Sequence, residues 1–147
     1  MKKSVAQKDL SGCGAACVAW ILDISYDSAL LLFKNGRKYA KFRGFTCKEI
    51  EQALQKRNLR YQHRYIGNKG IKPIENNSIV FIKRSKRYPL GHYLVKTNSG
   101  WMNPWINFPN IQEIKSGFRR KLPGKPIYIV FRAEQKTGIL SLPNSNY

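Results

Sequence analysis

The stretch Ser11-Gly12-Cys13-Gly14-Ala15-Ala16-Cys17 holds the residue types best suited to chemistry in this chain. Its two cysteines admit four uses: a metal clip, a disulfide, core packing or a nucleophilic thiol. Zinc sites take cysteine pairs about two to four apart together with a second pair elsewhere. The remaining Cys47, His63 and His92 are scattered without such spacing, so no metal and no cofactor is expected. A Cys13–Cys17 disulfide has a suitable Cα separation across one helical turn, but its Cβ vectors are poorly directed. Cys17 and Cys47 read as small apolar core residues. Cys13 differs, because it opens an apolar run between two glycines. A helix N-terminus there offers unpaired N–H groups and the positive dipole end. Both favour the thiolate and lead one to expect a lowered pKa. Gly12 and Gly14 let substrate approach the sulfur closely.

A thiol nucleophile needs partners. Gln7, six residues earlier, can donate from its amide to an oxyanion beside the Cys13 N–H. Of the two histidines, His63 stands among arginines and reads as a surface residue. His92 follows Gly91 and opens a strand, where its ring can act as general base. A third group should orient that ring through its other nitrogen. Asn103, followed by Pro104 and Trp105, is the candidate. Gly91 and Trp105 join Gly12 and Gly14 as expected substrate contacts.

The elements that position these residues follow from patterning. Ala15 to Leu22 reads as a buried helix starting near Cys13. Ser25 or Asp27 caps a short helix through Ser28–Phe33, which Asn35-Gly36 ends. The segment GRKYAKFRGF reads as a basic loop. Thr46 and Glu49 form a capping box, after which Ile50, Ala53 and Leu54 recur at helical spacing. Strands are expected at Tyr61–Tyr65, Ser78–Lys83 and Ile127–Phe131, with a hairpin of His92–Thr97 and Trp101–Asn103. With Asn98-Ser99-Gly100 as its loop, Thr97 faces Trp101 and Asn103 faces Val95. Asn103 then lies roughly 10 Å along from His92, at about 3.3 Å per residue. Asn107 comes more nearly opposite His92 and is a reserve orienter. The fold class is α+β, with N-terminal helices packed on a C-terminal antiparallel sheet. One domain is expected over 1–136, with a frayed tail over 137–147.

Taken in order, Gln7, Gly12-Cys13-Gly14-Ala15-Ala16-Cys17, Gly91-His92-Tyr93-Leu94-Val95 and Asn103-Pro104 resemble the papain-like cysteine peptidases. The similarity is strongest to the branch that cuts bacteriocin leaders after a double glycine, with its stand-alone relatives. It extends over residues 5 to 131, and Gly44-Phe45-Thr46 before a helix fits the same pattern. The resemblance implies a papain-like fold and a peptide or protein substrate. It implies Cys13 as nucleophile, His92 as general base and then acid, Asn103 as orienter and Gln7 in the oxyanion hole. The branch usually carries Asp where this chain has Asn103, although papain itself uses Asn. Leader-cutting peptidases are usually fused to a transporter, whereas this chain has no membrane segment or nucleotide-binding motif. A free-standing enzyme or effector is therefore expected. It would be cytoplasmic where made, reducing in setting, and open to export as a bacterial toxin with an inhibitor or immunity protein as partner.

Charge adds a second theme. The 147 residues include 27 Lys+Arg against 8 Asp+Glu, a net +19. Such a surface attracts polyanions such as nucleic acid, anionic headgroups or acidic proteins. Lys38, Lys41 and Arg43 form one basic loop, and Lys83, Arg84, Lys86 and Arg87 another that runs into Gly91-His92. Tyr39, Phe42, Tyr88, Trp101 and Trp105 interleave aromatics among them, as single-stranded nucleic-acid binders do. The alternatives to a peptidase are thus a papain-fold toxin acting on RNA, or a basic binding module without catalysis. The early apolar segment AACVAWIL is too short and too interrupted for a signal peptide or a membrane span.

Overall fold

The computed structural model describes residues 2–67 and 73–133. The expected tail over 137–147 lies outside the described residues. Among them, four helices precede six strands: α1 Cys13–Leu22, α2 Tyr26–Leu30, α3 Gly36–Phe42, α4 Cys47–Gln55, then β1 Tyr61–Tyr65, β2 Ile79–Ile82, β3 His92–Thr97, β4 Gly100–Asn103, β5 Gly117–Arg119 and β6 Pro126–Arg132. The strands form one antiparallel sheet in the order β1-β6-β2-β3-β4-β5. The α+β expectation holds.

Helix α1 is buried because it is apolar nearly all round. Every residue from Gly14 to Trp20 is in the core. Small side chains let it sit between α4 and β3. A Cβ on Gly14 would come within 3.2 Å of Ile50 Cδ1 and 3.4 Å of Tyr93 Cδ2. Asp23 ends the helix in a left-handed conformation, its N–H bonded to Ala19 and Trp20 carbonyls. Helix α4 carries its capping box as expected. Glu49 N–H donates to Thr46 Oγ1 at 3.1 Å, and Thr46 N–H donates to the Glu49 carboxylate at 2.9 Å. Cys47, Ile50, Ala53 and Leu54 then face the core.

The sheet is covered on both faces. Ile79, Tyr93, Val95, Met102 and Val130 pack under the helices. Val80, Ile82, Leu94 and Trp101 point the other way and gather around Tyr88. This two-sided burial explains why β2 and β3 read as nearly continuous apolar runs.

Four expectations need correction. The segment taken as a basic loop contains α3. Asn35 adopts φ 54°, so it ends the preceding turn and opens a new helix, with Tyr39 N–H donating to its carbonyl at 2.9 Å. Helix α3 buries only Gly36 and Ala40, too little apolar surface to show a period. Helix α2 runs Tyr26–Leu30 rather than Ser28–Phe33, capped by Ser25. Strand β5 was not expected, since three residues carry no alternation. The β3–β4 hairpin turns on two residues, not three. Thr97 pairs with Gly100, Lys96 with Trp101 and Val95 with Met102. Gly100 belongs to the strand at φ +123°, where a Cβ would lie 2.1 Å from Arg119 O of β5.

Thr46→Ala removes one half of the capping box. It is expected to lower the unfolding free energy by about 1 kcal/mol. Urea denaturation should show this as a lower midpoint at unchanged slope.

Candidate active site

The candidate nucleophile heads α1. Gly12 is the N-cap and has no side chain to offer the first turn. The backbone N–H groups of Cys13, Gly14 and Tyr93 act on the Cys13 thiol instead, each favouring the thiolate. Burial outweighs them and pushes the thiol up to about 11. The expected lowering is therefore reversed. The helix terminus supplies its donors, but desolvation of the charged sulfur is the larger effect.

His92 opens β3 and is 3% exposed. Its Nε2 lies 2.7 Å from Asn103 Oδ1. Trp105 N–H donates to the same Oδ1 at 2.9 Å, which identifies that atom as oxygen. His92 Nε2 must then carry the hydrogen, leaving the Nδ1 lone pair free to take a proton. Burial brings the imidazole pKa down to about 4, with the Asn103 bond opposing in part. The Tyr88 ring stacks on the imidazole at 4.4 Å and 9°.

The corrected register explains how Asn103 reaches His92. Continuing from Val95–Met102, Asn103 falls opposite Leu94. His92 and Asn103 thus share a face as diagonal neighbours, within side-chain reach. The reserve residue Asn107 is placed elsewhere. It accepts from Lys115 N–H and donates to Glu113 O, both at 2.8 Å, and so ties its own loop together.

Cys13 and His92 line one cavity of about 830 Å³. Phe45, Phe81, Tyr93 and Tyr128 contribute apolar wall, and Leu10, Leu90 and Ile111 stand exposed at its rim. Arg43, Lys48 and Arg84 bring positive charge to it. Trp105 and Gly91 also line it. Gly91 is required at φ +78°, where a Cβ would lie 2.2 Å from Phe81 Cζ. Gly12 and Gly14 do not line the cavity. A Cβ on Gly12 would lie 2.0 Å from Tyr26 Oη, which itself bonds Asp9 Oδ2 at 2.8 Å. Both glycines serve packing around the nucleophile rather than contact in the cleft.

Gln7 is buried, and the amide hydrogens that the expected role needs are already engaged. Nε2 donates to the Asp9 and Leu10 carbonyls at 2.9 and 3.2 Å, while Oε1 has no hydrogen-bond partner. Its main-chain N–H reaches Pro104 O at 3.2 Å, tying the segment before Cys13 to the segment after Asn103. Cys17 is fully buried, and its thiol is held well above the usual range by burial and the nearby Cys13. Cys47 Sγ lies 3.6 Å from Tyr93 Oη. His63 pairs through Nδ1 with Glu51 near the surface. Among the described residues no three metal-ligating side chains cluster.

Cys13 at the head of the first helix and His92 opening a central strand thus face one cleft of an α+β domain whose fold has a solved counterpart. Among solved structures, the peptidase domain of Streptococcus ComA, a bi-functional ABC transporter involved in a quorum-sensing pathway, is similar at TM-score 0.51 and 22% identity. The similarity covers 92% of this chain and 100% of that domain, and it is a likeness of fold. No protein-family model and no curated protein matches the chain.

The burial of His92 has a consequence for stability. The unfolded chain binds a proton there below about pH 6.5, whereas the folded chain resists until about pH 4. Stability should rise between pH 4 and 6.5, with a His92 contribution of about 3 kcal/mol that is complete above that window. Urea titrations across this range, compared with His92→Gln, should show a shallower rise in the variant.

Proposed function

We propose that this chain is a cysteine peptidase that hydrolyses a peptide or amide bond. The observation that carries the reading is the 2.7 Å His92–Asn103 bond, made through Nε2, on the wall of the cavity that Cys13 shares. It leaves Nδ1 as the base. At neutral pH the resting pair is an uncharged thiol and an uncharged imidazole. Cys13 Sγ attacks the carbonyl carbon as its proton passes to His92 Nδ1. The head of α1 supplies main-chain N–H to the developing oxyanion. Gln7 can add a second donor only if its Nε2 leaves the Asp9 and Leu10 carbonyls. His92 then returns the proton to the departing amine, and water hydrolyses the thioester with His92 again as base.

The likeness of fold to a peptidase domain supports this assignment. Arg43, Lys48 and Arg84 at the cleft, with a net charge of +19, favour an acidic peptide or protein as substrate. An inhibitor or immunity protein, if one exists, would have the same charge to match. The RNA-directed reading retains the charge but loses most of its stacking surface. Tyr88, Trp101 and Trp105 are buried, and Tyr39 is taken by the Arg43 guanidinium 3.6 Å above its ring. No helix among the described residues is long and apolar enough to cross a membrane.

The test is an assay of wild type, Cys13→Ala and His92→Ala against an acidic peptide library and total RNA. Peptide cleavage is expected from wild type alone, with each variant slower by at least about 10⁴-fold. Epoxysuccinyl reagents should modify Cys13 ahead of the buried Cys17 and Cys47, and His92→Ala should slow that modification. RNA degradation that persists in Cys13→Ala, without peptide cleavage by wild type, would overturn the assignment.

A further inference from the structure

We infer that Tyr88 is a positioning residue for the His92–Asn103 pair, a role that rests on the peptidase reading only for its effect on rate. Tyr88 stands at the end of the basic segment before β3 and is 2% exposed. Two features of its side chain bear on the pair at once. The ring lies parallel to the His92 imidazole, with centroids 4.4 Å apart. The hydroxyl accepts from Asn103 Nδ2 at 3.1 Å and donates to Trp105 O at 3.3 Å.

These contacts close a small ring of hydrogen bonds. Trp105 N–H selects which Asn103 atom is oxygen, and Tyr88 Oη takes the hydrogen at the amide's other end. Asn103 is 0% exposed, so no solvent can replace the hydroxyl there. An amide held at both ends keeps Oδ1 on His92 Nε2, which keeps that nitrogen protonated and Nδ1 free. The stacked ring fixes the imidazole plane of a histidine that lines the cavity. Tyr88 is anchored in turn by its own main chain: its N–H donates to Ser85 Oγ at 3.1 Å, and its carbonyl accepts from Ser85 and Gly91 N–H at 3.0 and 2.9 Å. The Arg87 guanidinium lies 5.9 Å from its ring. The basic segment therefore acts on the histidine mechanically, besides bringing charge to the cleft.

Tyr88→Phe keeps the stack and removes the hydroxyl. Long-range ¹H–¹⁵N NMR of the imidazole should show one tautomer, Nε2–H, in the wild type and a mixture with Nδ1–H in the variant. Peptide turnover should fall by about tenfold in kcat with KM unchanged, the loss of one buried hydrogen bond at the base. Asn103→Asp has no N–H for Tyr88 to satisfy, so adding Tyr88→Phe to it should leave the tautomer as it is in Asn103→Asp alone. If Tyr88→Phe does not fold, the wild-type spectrum alone carries the test, since a mixture of tautomers in the folded wild type overturns the assignment. A single Nε2–H tautomer in Tyr88→Phe, or a changed tautomer on adding Tyr88→Phe to Asn103→Asp, overturns the assignment. The NMR readout needs no substrate. A chain without peptidase activity but with the expected tautomer shift would sink the peptidase reading and leave the positioning role standing.

Discussion

The geometry at the cleft depends on one carbonyl oxygen, Asn103 Oδ1. It accepts from Trp105 N–H and from His92 Nε2 at once. A neutral amide provides that oxygen without placing a charge beside His92, where both side chains are almost wholly shielded from water. Its position comes from the β3–β4 register, since a slip of one residue would send Asn103 to the opposite face. Register in turn is held from both sides. Met102 is locked into the core under the helices, and Gly100 lets β5 approach closely. The Gln7 N–H to Pro104 O bond then ties the start of the chain to this hairpin. The loop that presents Cys13 and the strand that presents Asn103 are therefore braced together.

Much of this was legible because it is written in local chemistry. The capping box of α4 needs only Thr46 and Glu49. The apolar run of α1 and the alternation in β3 need only a few neighbours each. The pair His92 and Asn103 was identified from residue type and order, but the distance between them was misjudged. Asn98-Ser99-Gly100 looks like a three-residue loop, and only the close approach of Arg119 reveals why Gly100 is a strand residue. Helix α3 was missed because it is polar on most of its surface, so it has no period to detect. Tyr88 was grouped with aromatics flanking a basic patch. Its stacking and hydrogen bonds involve residues 4, 15 and 17 positions away and emerge only when the sheet has formed. Gly12 and Gly14 were read as openings for substrate, yet what they avoid are Tyr26 and Ile50, contacts invisible in one dimension.

The charge state of the pair decides the order of events at the sulfur. Burial pushes the Cys13 thiol up to about 11 and brings the His92 imidazole down to about 4, so each shift disfavours the charged form. Burial thus outweighs the head of α1 at the sulfur and disfavours charge on both groups. In the proposed peptidase mechanism proton transfer therefore accompanies attack, so that negative charge passes from sulfur to a carbonyl oxygen rather than resting on the sulfur. In such a site a preset base matters more than a preformed nucleophile. On that reading the acceptor nitrogen must already point the right way when substrate arrives. That requirement is what Asn103, Trp105 and Tyr88 jointly meet, and it accounts for an orienting residue that brings no charge of its own.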